Sequence, residues 1–152
     1  MMQEQLTIPA NWCMKMEPIP VHRVMHEWTS LLSFIKPSNI KGGGFDEMAL
    51  MRDLMNGSAE AAYVTGFKIK GAFVSQITNQ TCTINYLGGS ISARPKEWLQ
   101  LVRWGMQVFE DLARKSHCRE MRLSGRKWGF ALKALGYEPV ENGLPNELRK
   151  VL

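Results

Sequence analysis

His22 and His26 stand four residues apart, a spacing that puts two imidazoles on one helix face and would suit a pair of metal ligands. No third ligand is evident and Glu27 is not placed as in an H-E-x-x-H motif, so surface histidines are the expected outcome. Glu60, at the start of a strand, has the chemistry to deprotonate an amine, but a single carboxylate at a strand end is ordinarily solvated. His117 closes a long helical segment, where a cation suits the helix dipole better than a catalytic task. Arg126, Lys127 and Trp128 together have the means to neutralise an anion and stack on a base. The spacing of Trp128, Ala131, Leu132 and Leu135 equally makes Trp128 the first inward residue of an amphipathic helix. Leu87, Gly88, Gly89 and Ser90, with Ala93-Arg94-Pro95 after them, read as a glycine-marked break in the chain. Cys13, Cys82 and Cys118 are scattered and form no CxxC pair, which points to reduced, mostly buried thiols rather than to disulfides or zinc.

The elements that must position these groups follow from periodicity. A short strand near Trp12 to Met16 precedes a helix over Val21 to Ile35, bracketed by Pro18, Pro20 and Pro37. After Lys41-Gly42-Gly43-Gly44, Asp46 is a candidate cap for a second helix that stops at Asn56-Gly57. Three apolar, β-prone runs, 61–65, 72–77 and 82–87, are separated by Gly66, Gly71 and Asn79-Gln80 and predict an antiparallel meander. A long helix starts at Pro95, with Trp98, Leu101, Val102, Gly105, Val108, Phe109 and Leu112 predicted to form its inward stripe. A strand at Met121 and Leu123, a helix from Trp128 to Leu135 stopped by Gly136, and a hairpin about Asn142-Gly143 complete the chain. The expected class is α/β (α+β): one domain over 1–152, with a mixed central sheet of about seven strands in the order β-α-α-β-β-β-α-β-α-β-β and helices on both faces.

Charge is unevenly spread. Between Arg94 and Lys133 ten Lys/Arg face four acids, so that this stretch carries the whole excess of the chain's +5. A basic half suits an anionic partner, and Arg114, Lys115, Arg119, Arg126, Lys127 and Trp128 are its candidate contact residues. The same charges interleaved with acids also make an ordinary solvated helix surface. The N-terminal residues show no signal-peptide pattern and no window approaches a membrane span, so a cytoplasmic protein is expected.

The order of elements, and the stretch RLSGRKWGFALKALGYEP at 122–139 in particular, resembles the GNAT superfamily of acyl-CoA N-acyltransferases across nearly the whole chain. The resemblance implies an acetyl-CoA site between the fourth strand and the long helix, where backbone N–H groups and the helix dipole meet the pyrophosphate. Here that segment reads YLGGSISARPKEW, without the family's [QR]-x-x-G-x-[GA] spacing, and Pro95 removes one donor. Many family members carry a general-acid tyrosine four residues before the glycine that ends the later helix; Leu132 occupies that place and has no proton to give.

The longer string CREMRLSGRKWGFALKALGYEP, with the terminal ELRKVL, is similar to small GNAT-like proteins encoded among the head and tail genes of tailed bacteriophages. That likeness implies a non-catalytic virion or assembly component of the host cytoplasm and the particle. Its partners would be other virion or assembly proteins, with nucleic acid as a second class through the basic half, and it would need no cofactor. The alternative is a working acyl-CoA N-acyltransferase, with acetyl-CoA bound by Leu87, Gly88, Gly89, Ser90 and Arg94. It would orient the amine and polarise the thioester through backbone N–H groups near Leu87 to Gly89.

Overall fold

A computed structural model describes residues 15–36, 46–66, 69–91, 95–124, 129–140 and 147–152. In chain order the elements are β1 (Lys15–Ile19), a 3-10 turn (Val21–Arg23), α1 (Val24–Ile35), α2 (Glu47–Met55), β2 (Glu60–Gly66), β3 (Ile69–Thr78), β4 (Thr81–Ile91), α3 (Pro95–Lys115), β5 (Glu120–Ser124), α4 (Gly129–Ala134), β6 (Glu138–Pro139) and β7 (Glu147–Val151). The seven strands make one sheet in the order β1-β2-β3-β4-β5-β7-β6. Every neighbouring pair is antiparallel except β4 and β5, which run parallel and are joined by the α3 crossover.

Local chemistry accounts for most of the boundaries. The Asp46 carboxylate accepts a 3.0 Å hydrogen bond from the Ala49 amide and caps α2. Asn79 and Gln80 both hold positive φ, 50° and 63°, and so turn β3 into β4 in two residues. α4 ends in a Schellman arrangement: Tyr137 N–H donates to the Leu132 carbonyl at 3.0 Å around Gly136, whose φ is 95°. The LGY signature of the sequence is thus a helix stop that sends Tyr137 inward, where it is buried.

Two apolar layers sit on opposite faces of the sheet. Val24, Leu31 and Ile35 of α1 and Leu50 and Leu54 of α2 pack on Ala61, Ala72 and Val74. Val102, Met106, Phe109 and Ala113 of α3, with Leu132 of α4, pack on Val64, Phe73, Ile84, Met121 and Leu123. The inward stripe of α3 departs from the periodic expectation. Leu101, Val102 and Phe109 are buried as expected, but Met106, Glu110 and Ala113 complete the stripe while Val108 is half-buried and Leu112 is 45% exposed. The carboxylate of Glu110 is tolerated because Lys150 Nζ of β7 lies 2.6 Å from its Oε1.

The glycine-marked breaks need correction too. Leu87, Gly88, Gly89 and Ser90 are not a loop: β4 continues through them to Ile91, paired with β3. Gly71 likewise lies inside β3, opposite Gly89. The first strand falls at Lys15–Ile19 and includes Pro18, and a 3-10 turn precedes α1. The Asn142-Gly143 turn and the Lys41–Gly44 break lie outside the described residues. Among the described residues, no helix is long and apolar enough to cross a membrane.

Candidate functional site

The parallel contact between β4 and β5 is short. Thr81 to Ile84 pair with Glu120 to Leu123, after which β5 ends at Ser124 while β4 runs on beside β3 to Ile91. A bulge sits at the point of divergence: Val74 faces Tyr86 and Ser75 faces Ile84, leaving Asn85 as the extra residue. The Asn85 side-chain amide donates to Gln76 Oε1 at 2.8 Å and steadies the bulge. Since successive strand amides point to alternate sides, every second N–H of β4 beyond the bulge faces the side that β5 has left.

Behind this divergence lies an apolar cavity of about 80 Å³ between the sheet and α3. Leu87 and Gly89 of β4, Leu101, Gly105 and Phe109 of α3, Leu123 of β5 and Leu132 of α4 are among its walls. Phe73 and Phe109 meet edge to face beneath it, with ring centroids 4.7 Å apart. Leu132 is 1% exposed. The position at which the family resemblance requires a general acid is therefore an aliphatic wall of the cavity.

The glycines at the rim serve the fold before any ligand. A Cβ on Gly88 would collide with the Phe34 carbonyl oxygen and come within 2.8 Å of its carbon, so α1 already occupies that approach. A Cβ on Gly71 would strike the Gly88 carbonyl, and one on Gly89, whose φ is 146°, would strike that of Lys70. The close backbone approach expected at Gly88 and Gly89 is made by β3 and α1. Ser90 is exposed at the end of β4, and Arg94 lies outside the described residues. The apolar walls fit the arm of a thioester, whereas no proton donor faces them at Leu132.

The remaining candidates disperse. His22 in the 3-10 turn and His26 in α1 are exposed, as are Glu60 at the start of β2 and His117. Among the described residues no three His, Cys, Asp or Glu side chains come together as a metal site. His117 holds φ 63° as the residue that ends α3. Arg114, Lys115 and Arg119 are exposed near the C-terminal end of α3; Arg114 pairs with Asp111 at 3.2 Å. Arg126, Lys127 and Trp128 lie outside the described residues, as does Cys13. Cys82 and Cys118 are free thiols, and burial pushes Cys82 up to about 11, far from a reactive thiolate.

Sequence reasoning did not reach Met106 or the Glu110–Lys150 pair, and it read Gly71 as a break between strands. Met106 follows the stripe residue Val102 at i+4, so periodicity could have admitted it, whereas a carboxylate such as Glu110 has no place in an apolar pattern; Gly71 is explained only by its partner across the strand pair. On the other face, Tyr63 Oη donates to Glu27 Oε2 at 2.7 Å and Arg23 pairs with the same carboxylate at 2.9 Å. The tyrosine hydrogen bond holds the Glu27 carboxyl below its usual range.

No protein-family model and no curated protein sequence matches the chain. Solved structures do. The PaiA N-acetyltransferase of Thermoplasma acidophilum, in complex with coenzyme A, superposes with a TM-score of 0.57 at 9% identity, over 92% of this chain and 99% of that one. Tetrahymena GCN5 gives 0.59 at 10% identity over 90% and 95% of the two chains. A probable acetyltransferase from Staphylococcus epidermidis gives 0.60 at 7% identity over 91% and 99%. The seven-stranded mixed sheet, its parallel β4–β5 pair and the helices on both faces are those of the GNAT acetyltransferases, and this chain has the GNAT fold.

Proposed function

We propose that this protein uses the GNAT fold as a non-catalytic assembly component of a tailed-bacteriophage virion. One observation carries the reading: Leu132, at the acid position, is a buried wall of the cavity and has no proton to transfer. The exposed Arg114, Lys115 and Arg119 supply a surface for an anionic partner, a virion protein or packaged nucleic acid. The test is to purify particles from an infection that expresses the chain and look for it by mass spectrometry. Its presence in stoichiometric amount is expected, and its absence from intact particles overturns the assembly role.

A second reading, an acyl-CoA-dependent N-acetyltransferase acting on an amine, is favoured by the open side of β4 beyond Ile84 and the apolar cavity behind it. Oriented attack alone is worth about 7–11 kcal/mol in model systems, so an enzyme of this fold can work without the acid. Calorimetry with acetyl-CoA separates the two readings: weak or no binding is expected of the assembly component, and micromolar binding favours the enzyme.

A further inference from the structure

Three methionines project from the layer that α1 and α2 lay over the sheet. Met48 is 84% exposed, Met25 62% and Met55 43%. Every large apolar side chain that these two helices leave exposed is a methionine. Met48 and Met55 stand about two turns apart and therefore on one side of α2, away from Leu50 and Leu54, which are buried on the sheet. Met25 follows the buried Val24 in the first turn of α1. Both helices cover the same face of the sheet, and Lys36 at the end of α1 pairs with Glu47 of α2 at 2.9 Å. The three thioethers thus share one side of the molecule, whereas Met106 and Met121 are buried in the opposite layer. Helix propensity does not select methionine here, since leucine, lysine and glutamine serve an exposed helix position as well. What distinguishes a thioether in water is that its sulfur can be oxidised.

We infer that Met25, Met48 and Met55 are a site of reversible oxidation, at which a peroxide turns the outer face of α1 and α2 from apolar to polar. The Sδ lone pair attacks one peroxide oxygen, the O–O bond breaks and the S–O bond of the sulfoxide forms. The sulfur is oxidised and the peroxide reduced; the proton of the attacked hydroxyl passes to the departing oxygen, which leaves as water or an alcohol. Methionine sulfoxide reductases reverse the step, with a dithiol going to its disulfide and the oxygen leaving as water. The fold tolerates the change because Val24, Leu31, Ile35, Leu50 and Leu54, which hold the two helices, have nothing to oxidise. A sulfoxide at Met106 or Met121 would instead bury a polar oxygen in the core, and burial shields both sulfurs.

Dilute hydrogen peroxide applied to the full chain tests this, with each methionine peptide followed by mass spectrometry and the surface by hydrophobic-interaction chromatography. Peptides carrying Met25, Met48 and Met55 should each gain one oxygen while those carrying Met106 and Met121 stay unchanged, with no change in circular dichroism. Column retention should fall on oxidation and return after treatment with the reductases and dithiothreitol. A variant combining Met25→Leu, Met48→Leu and Met55→Leu should keep its retention in peroxide. Oxidation of Met106 or Met121 at the same rate, or loss of the folded spectrum, overturns the inference. So does a wild-type retention that does not fall or does not return, or a triple-variant retention that falls as far as that of the wild type.

Discussion

Gly88 of β4 lies directly against the carbonyl of Phe34 in the last turn of α1, with no room between them for a Cβ. The strand that would line a GNAT cleft is thereby welded to the helix on its far face. Gly88→Ala must push α1 off the sheet, and by the cost of overpacked cores it should lose about 1–3 kcal/mol. Urea unfolding followed by tryptophan fluorescence measures this; an unchanged midpoint would mean that α1 does not pack here.

The face of α3 is tested by two leucines. Leu101 is 2% exposed and Leu112 is 45% exposed. Leu101→Ala should cost about 2–5 kcal/mol, and Leu112→Ala no more than about 0.5 kcal/mol. Equal losses would show that the helix is rotated from the orientation described.

Cys82 offers a probe of the closed lower half of the sheet. Its thiol is raised to about 11, first by burial and then by the neighbouring Cys118 and Glu60. A raised thiol pKa favours the protonated native state, so this contribution is whole below the ordinary value and is lost as pH rises from there through about 11. Alkylation by iodoacetamide at pH 8 should be much slower in the native protein than in urea. Equal rates would place Cys82 in solvent.

Glu27 titrates in the opposite sense. Hydrogen bonding from Tyr63 lowers its pKa, so its stabilising contribution is present above the ordinary carboxylate value and is lost as pH falls through the lowered one. Tyr63→Phe should raise the Glu27 pKa in an NMR titration. No movement would dismiss the bond.

The basic surface makes a prediction about association alone. Replacing Arg114, Lys115 and Arg119 together by glutamine should leave the melting temperature nearly unchanged, since exposed charges add little stability. It should weaken recovery with assembling particles, most at low salt. Equal recovery of wild type and triple variant at low and high salt would end the assembly-surface proposal.

What could be read from the residues alone was whatever depends on near neighbours in the chain. The Asp46 cap, the Asn79-Gln80 turn, the Gly136 stop and the order of eleven strands and helices rest on φ preferences, capping and periodicity, all of which act within a few residues. The missing proton at Leu132 was legible too, through the family resemblance, but its place as a wall of the cavity was not. Gly88 and Gly89 read as a break because glycine weakens an isolated strand. Only the approach of β3 and α1 turns the same absence of Cβ into a requirement of the pairing. The rotation of α3 was ambiguous for a similar reason. Val108 and Leu112 fit an apolar helical stripe as well as Met106 and Ala113 do, and the choice is made by the sheet beneath and by Lys150, which reaches from β7 to hold Glu110 inside. The divergence of β4 from β5, on which any function of the cleft depends, comes from pairing across the α3 crossover, a long-range contact that no local pattern encodes.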